Sequence, residues 1–370
     1  MKKRGLTAGI GAVLLLIIVI SVYGAQRKDP VPVIGVLMWD DGTELSQTAF
    51  EYLDWMDGIL DADVKVMRIS WKNDLAEMVE NFCQEGGDVL INVVSQDFPE
   101  IMQICEQYQV YLLQMWEMSM DTDILEKAMN HQYFLGCILS DDDDAADKMA
   151  EALNGEGSEE IAILTYNYEN NMSNAQQRRN LSFRKALGER EPAANLEIYS
   201  FDEGIRYLAR LNERIDGLLM SERLMEYSVQ TAKEIMGKEA IKFAYFDVNE
   251  FSLEDLEEGS LAMVACGQQN VVELAVAYAD AFVENGKCWE EKLMLECPYI
   301  YLTSPEEYDR YQEFCVAEPA YSEAMVSRLV DSLEDGIGLL EEYAKSYSLS
   351  WLEEQKSSEN GVTVSDISPE

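Results

Sequence analysis

The side chains able to do chemistry are plentiful in carboxylate and scarce in everything else. The chain holds a single histidine, His131. It stands before an apolar run in Asn130-His131-Gln132-Tyr133 and suits a polar residue at a strand edge better than a general base. Seven cysteines, Cys83, Cys105, Cys137, Cys266, Cys288, Cys297 and Cys315, are scattered with no Cys-x-x-Cys spacing. Zinc and dithiol-redox patterns are therefore missing, and the odd count leaves at least one thiol without a partner in the chain. Cys105, Cys137 and Cys266 lie in apolar runs and read as small buried hydrophobes. Phosphate-binding loops are missing as well: Gly286-Lys287 is followed by Cys288, and no Gly-x-Gly-x-x-Gly follows a predicted strand. No Gly-x-Ser-x-Gly nucleophile turn occurs. Carboxylates are numerous enough for acid/base pairs, but number alone singles none out. The run Asp141-Asp142-Asp143-Asp144 has the chemistry of a cation site. Its place between a strand ending at Leu139 and a helix over Ala145–Leu153 favours capping of free N–H groups at the positive end of that helix, with one or two carboxylates left to face a ligand. These residues predict no catalysis, no cofactor and no metal.

Charge sharpens the exclusions. In 370 residues, 28 Lys+Arg stand against 70 Asp+Glu, a formal net charge of −42. Such a surface repels the phosphates of nucleic acid and the headgroups of anionic lipid. Hydrophobic residues make up 48%, so the acidity is that of a chain with matter for a sizeable core, not of a disordered one.

The elements that must position these groups alternate. Short apolar runs at Val33–Trp39, Val64–Ile69, Val89–Val94, Val110–Trp116, Tyr133–Leu139, Ile161–Tyr166, Leu196–Ser200, Gly217–Met220, Phe243–Asp247 and Ala262–Cys266 predict strands covered on both faces. Amphipathic stretches separate them. One begins near Ser46 with Phe50, Leu53, Met56 and Leu60 at helical spacing; another runs from Val271 to about Asn285, with Gly286 as its cap. The alternation predicts α/β architecture with right-handed crossovers. Ten strands predict two doubly wound parallel sheets, and no internal repeat is evident in the residues. One or two acidic helices are expected over Glu318–Glu354, then a loose tail.

Met1-Lys2-Lys3-Arg4 precedes an uncharged segment, Gly5–Gln26, whose centre is apolar on every face. This predicts a leader that leaves the basic cluster in the cytoplasm and exports the chain beyond residue 28. It is read either as an uncleaved transmembrane anchor or as a signal peptide cut near Val22-Tyr23-Gly24.

Several short motifs fall in a telling order: Pro32-Val33-Ile34-Gly35-Val36, Gly87-Asp88-Val89-Leu90-Ile91-Asn92, Ser140-Asp141-Asp142, Arg179-Asn180-Leu181-Ser182-Phe183, Ala244-Tyr245-Phe246-Asp247, Gln269-Asn270-Val271-Val272-Glu273-Leu274-Ala275 and Tyr301-Leu302-Thr303. Over roughly residues 31–315 the chain resembles the type I periplasmic binding proteins, the sugar-binding components of ABC transporters typified by ribose-binding proteins. The resemblance implies a monomer of two lobes joined by three crossovers, with a ligand held between them at the carboxyl ends of the strands and released unaltered. It divides the chain into a leader at 1–28, a first lobe of 31–116 plus 270–299, a second of 117–269 plus 300–354, and a disordered tail at 355–370. It also assigns roles. Arg179 would offer its planar fork of donors to ligand hydroxyls, Asp247 would accept from two of them, and Gln269 would act beside the hinge.

Other positions depart from the family pattern. Gln96 stands where an aspartate is usual, Trp116-Glu117 replaces Asp-Arg, and Glu222-Arg223 replaces Asn-Asp. Trp39 and Trp116 are candidates for the flat wall of a sugar site, or else core residues. A crevice holding Asp40, Glu117, Asp141, Glu222 and Asp247 favours a cationic or amine-bearing ligand over a neutral sugar. The expected activity is binding of a small, carbohydrate-like solute for delivery to an ABC permease. The alternatives are a sensor subunit for a membrane histidine kinase and, behind it, an exported enzyme. A DNA-binding regulator on the same lobes is excluded by the apolar leader and the charge.

Overall fold

The computed structural model describes residues 31–359, apart from residues 71, 96, 167–173, 189–190, 199, 212–213, 223–240, 286–291 and 334–335. The predicted leader, Gln96, Arg223, the Gly286 cap and residues 360–370 of the predicted tail lie outside the described residues. Among the described residues no helix is long and apolar enough to cross a membrane.

The chain begins with β1 (Val33–Trp39), α1 (Glu44–Ile59), β2 (Asp63–Ile69), α2 (Leu75–Gln84), β3 (Val89–Asn92), α3 (Phe98–Tyr108), β4 (Tyr111–Trp116), α4 (Thr122–Met129) and β5 (Phe134–Ser140). It then builds a second unit from α5 (Asp142–Gly155), β6 (Ile161–Tyr166), α6 (Asn174–Ala186), β7 (Ala194–Ile198), α7 (Phe201–Leu211), β8 (Gly217–Met220), β9 (Lys242–Phe246), α8 (Ser252–Glu257) and β10 (Leu261–Cys266). The remainder is α9 (Asn270–Asn285), β11 (Leu293–Cys297), β12 (Ile300–Leu302), α10 (Pro305–Tyr311), a π-helix (Gln312–Val316), α11 (Glu323–Ser332), α12 (Gly338–Ser346) and α13 (Leu349–Glu359).

Two six-stranded sheets result, ordered β11-β5-β4-β3-β1-β2 and β12-β10-β9-β8-β6-β7. All pairings are parallel except that of β12 with β10. The second sheet repeats the order of the first, strand for strand, with no repeat of residues, because parallel sheets covered on both faces ask only for apolar runs. The near-complete burial of β1, β3, β5, β8 and β9 meets that demand. Each sheet has its switch point between the first and third strands of its own series, and ligand crevices lie at such points beyond the carboxyl strand ends.

All ten predicted strands are present, and two more, β11 and β12, were not predicted. In β11 the residues alternate, with Leu293, Leu295 and Cys297 buried and Met294 and Glu296 exposed, as on an edge strand. Gly136 makes room for this edge. Its φ is +129°, and a Cβ there would lie 2.1 Å from the Leu293 carbonyl oxygen.

The first lobe is larger than the sequence predicts. A crossover after residue 116 would put β5 in the second lobe, yet β5 pairs with β4 and β11 in the first sheet. The chain crosses instead between Ser140 and α5, which packs on β9 and β10. It returns at 267–269 to α9, which lies on β4, β5 and α1, and crosses again at Pro298–Tyr299. The carboxyl end departs further from expectation. Three helices stand where one or two were expected, and 355–359 belong to α13 rather than to a tail. Lys356 explains this: its ammonium donates to the Phe314 and Pro319 carbonyls and to Glu318, which holds the helix end on the body.

Candidate functional site

The second lobe supplies one wall of the crevice through the start of α6. Arg179 is anchored there rather than free. Its Nη1 donates to the Ser221 carbonyl at 2.9 Å, its Nη2 to the Tyr299 hydroxyl at 3.1 Å, and its Nε lies 3.4 Å from Asp142 Oδ1. The guanidinium also lies over the Phe246 ring, 4.0 Å from its centre. Tyr299 in turn donates to Asp142 at 2.8 Å, and Arg178 approaches the other Asp142 oxygen at 3.5 Å. Burial pushes the Asp142 carboxyl up, while the two guanidiniums and the Tyr299 hydroxyl pull it down. Burial likewise raises the Tyr299 phenol against the pull of Arg179. Three of the five N–H donors of Arg179 are thus committed to partners among the described residues.

Beside this wall, Asp247 ends β9 with φ +66°, a left-handed conformation uncommon outside glycine. Trp116 ends β4, the matching strand of the first sheet, with φ +65°. The two sheets thus carry strained residues at equivalent strand ends. The carboxylate of Asp247 acts electrostatically on Arg179.

The first lobe supplies the opposite wall. Trp39 is half-buried against the core, and Asp40 is exposed and paired with Arg68 at 3.4 Å. Trp116 donates its indole N–H to the Gln268 carbonyl at 2.9 Å, which fixes the ring to the hinge. Glu117 accepts from the Ser95 hydroxyl and, across the crevice, from the backbone N–H of Ala175 in α6 at 2.7 Å. Burial raises its carboxyl, and those two donors oppose the rise. On the second lobe, Glu222 accepts from the Gln176 side chain at 2.7 Å.

The structure gives Gln269 another task. It is fully buried, and its amide donates to the Tyr311 hydroxyl at 3.1 Å and the Cys315 carbonyl at 2.8 Å, so it secures the π-helix instead of facing a ligand. The hinge role falls to its neighbour. Gln268 accepts from Ser140 Oγ at 2.6 Å, donates to the Pro298 carbonyl at 3.1 Å, and receives Trp116 on its own carbonyl. One side chain thereby ties the three crossovers together. The Gln-Gln doublet was visible in the sequence, but which member faced the hinge was not. Tyr299, Ser221 and Ser95 carried no signal beyond their nearness to strand ends.

The four aspartates are structural. Asp141 caps α5 by accepting from the Asp144 N–H at 3.0 Å. Asp142 pairs with the two arginines, Asp143 with Lys185 and Ser182, and Asp144 with Lys148 and Tyr301. Among the described residues no His/Cys/Asp/Glu group is arranged to hold a metal ion. His131 sits at the amino end of β5, away from the crevice, 3.2 Å from Glu106. The crevice therefore brings together Trp116, Glu117, Glu222 and Asp247 at strand ends, Asp142 at the start of α5 and Arg179 within α6, with Trp39 closing β1, Asp40 just after it and Asp141 at the first crossover.

No family model and no curated protein matches the sequence. Solved structures do. A solute-binding protein of an ABC transporter from Bacillus halodurans with bound myo-inositol is 19% identical, with a TM-score of 0.60 over 78% of this chain and 99% of that one. A periplasmic sugar-binding protein from Pseudomonas fluorescens is 14% identical, with a TM-score of 0.64 over 84% and 99%. The Lac repressor bound to ONPG is 18% identical, with a TM-score of 0.58 over 76% and 83%. The chain carries the two-lobed α/β fold of the type I periplasmic binding proteins.

Proposed function

We propose that this is an exported carbohydrate-binding protein that holds a sugar or polyol between its lobes and passes it, unaltered, to an ABC transporter permease. The observation that carries the reading is the pairing of the fold with the crevice. Structures of this fold hold myo-inositol, D-arabinose and D-allose. Here the strand ends carry a strained aspartate, Asp247, and a strained tryptophan, Trp116, and the helix after β6 carries an anchored guanidinium, Arg179. Arg179 would donate to ring hydroxyls, Asp247 would accept from a pair of hydroxyls, and the Trp116 ring would cover an apolar sugar face. Closure follows from differential affinity, since a guest touches both walls only when the lobes meet. The net charge of −42 separates this chain from nucleic-acid-binding proteins on the same fold. Glu117, Glu222 and Asp247 extend the ligand class to amine-bearing sugars. Export rests on the basic and apolar leader.

A thermal-shift screen against myo-inositol, D-allose, D-arabinose and glucosamine tests this. A true ligand at 100 times its Kd stabilises the protein by about 2.7 kcal/mol. No shift with any sugar, polyol or amino sugar would overturn the assignment.

A further inference from the structure

Glu117 is held in place from three sides. Its carbonyl accepts from the Gln114 side chain at 2.7 Å, and Gln114 accepts from Asn92 Nδ2 at 2.7 Å. Both amides are fully buried between β3 and β4. Trp116 before it is strained and tied to the hinge carbonyl of Gln268. Ser95 donates to one carboxylate oxygen. The other oxygen is thereby presented to the opposite lobe, where the Ala175 N–H donates to it at 2.7 Å. Ala175 lies in the first turn of α6, where backbone N–H groups lack helical partners and negative charge is favoured. A second strut starts from the same helix one turn on. Arg178 reaches Glu296 of β11 at 3.7 Å and the Ser140 carbonyl at 3.4 Å.

We propose that Glu117 is a built-in latch that shuts the crevice against α6 when no solute is bound. The inference rests on the binding reading above and adds its regulation. The helix that Glu117 holds also carries Arg179, so a guest entering the crevice must first part the Glu117–Ala175 contact. Charge-assisted hydrogen bonds are the stronger kind, and this one reinforces the crossovers and the Arg178 strut in joining the two lobes. The latched form lowers apparent affinity by the fraction of molecules that are closed and empty.

The test is inter-lobe distance by single-molecule fluorescence on the full chain, with dyes at the exposed positions Gln103 and Glu197, and no sugar added. The unaltered crevice gives the short-distance population. Glu117→Ala removes the acceptor, and Ala175→Pro removes the donor while proline is tolerated in a helix's first turn. Each is expected to move the closed-to-open ratio toward open by roughly 10- to 100-fold. An open wild-type protein without sugar, or a closed population unchanged in both variants, overturns the latch. Because the measurement contains no sugar, its outcome is independent of the thermal-shift screen, and either idea can fail alone.

Discussion

Asp280 gives the sharpest test of the packing between α9 and its surroundings. It lies on a helix that is buried almost along its whole length, is itself only 2% exposed, and its Oδ1 has no hydrogen-bond partner among the described residues. Burial, then the nearby carboxylates of Glu284 and Asp61, push its pKa from 3.8 up to about 7. The folded protein thus holds this proton more tightly than the unfolded chain does. The associated stability is fully present below pH 4 and is lost as the pH rises through about 7. At about 1.4 kcal/mol per unit, the shift sets an upper bound of about 4 kcal/mol. Solvent screening of a group whose neighbours are surface carboxylates brings this to roughly 2 kcal/mol. Asp280→Asn keeps the shape and removes the charge that faces Glu284 and Asp61. Urea unfolding at pH 4.5, 6 and 8 should show the variant nearest wild type at the lowest pH and more stable by roughly 2 kcal/mol at the highest. Because Glu117, Asp142 and Glu273 also titrate upward, the difference between the two proteins carries the information, not either curve alone. Parallel curves, or a variant weaker at pH 8, would refute the assignment of a charged Asp280 whose Oδ1 lacks a hydrogen-bond partner among the described residues.

Two further substitutions probe the crevice. Arg179→Ala strips Asp142 of its closer guanidinium and the Ser221 carbonyl and Tyr299 of a donor, so it should cost roughly 3–5 kcal/mol in chemical denaturation; a loss under about 1 kcal/mol would show that the arginine is not integral to the second lobe. Gln268→Ala leaves Ser140 Oγ and the Pro298 carbonyl without their partner, and should cost about 1–3 kcal/mol while speeding amide exchange at residues 140–142 and 298–300; unchanged exchange there would remove Gln268 from the hinge.

The fold was legible in the sequence wherever burial alone dictates residue type. Val33–Trp39 and Gly217–Met220 are apolar because both faces of their sheets are covered, and the helix at Asn270 is marked by a stripe that the first sheet needs. Lobe membership was less legible, because Phe134–Ser140 is equally apolar in either sheet. What places it in the first is a backbone fit, Gly136 against Leu293, with no hydrophobic signature. The site divides the same way. Arg179 and Asp247 were singled out because the short motifs around them resemble those of the binding-protein family, whereas Tyr299 and Gln268 act across separations of 120 and 128 residues, beyond any local pattern.

Those long-range partners change what Arg179 means. A lone arginine at a crevice would be a flexible donor whose ordering costs side-chain entropy on every binding event. Here Asp142, Ser221, Tyr299 and the Phe246 ring have already fixed it, so that ordering cost is met in folding. Asp142, the second of four aspartates, is buried to do this, and the three around it are taken up by the cap and by lysines. A run of acid that looks like a cation site is therefore the support of a cation. The other acidic groups of the crevice, Glu117, Glu222 and Asp247, come from three different strand ends, the first two already accepting from Ser95, Ala175 and Gln176.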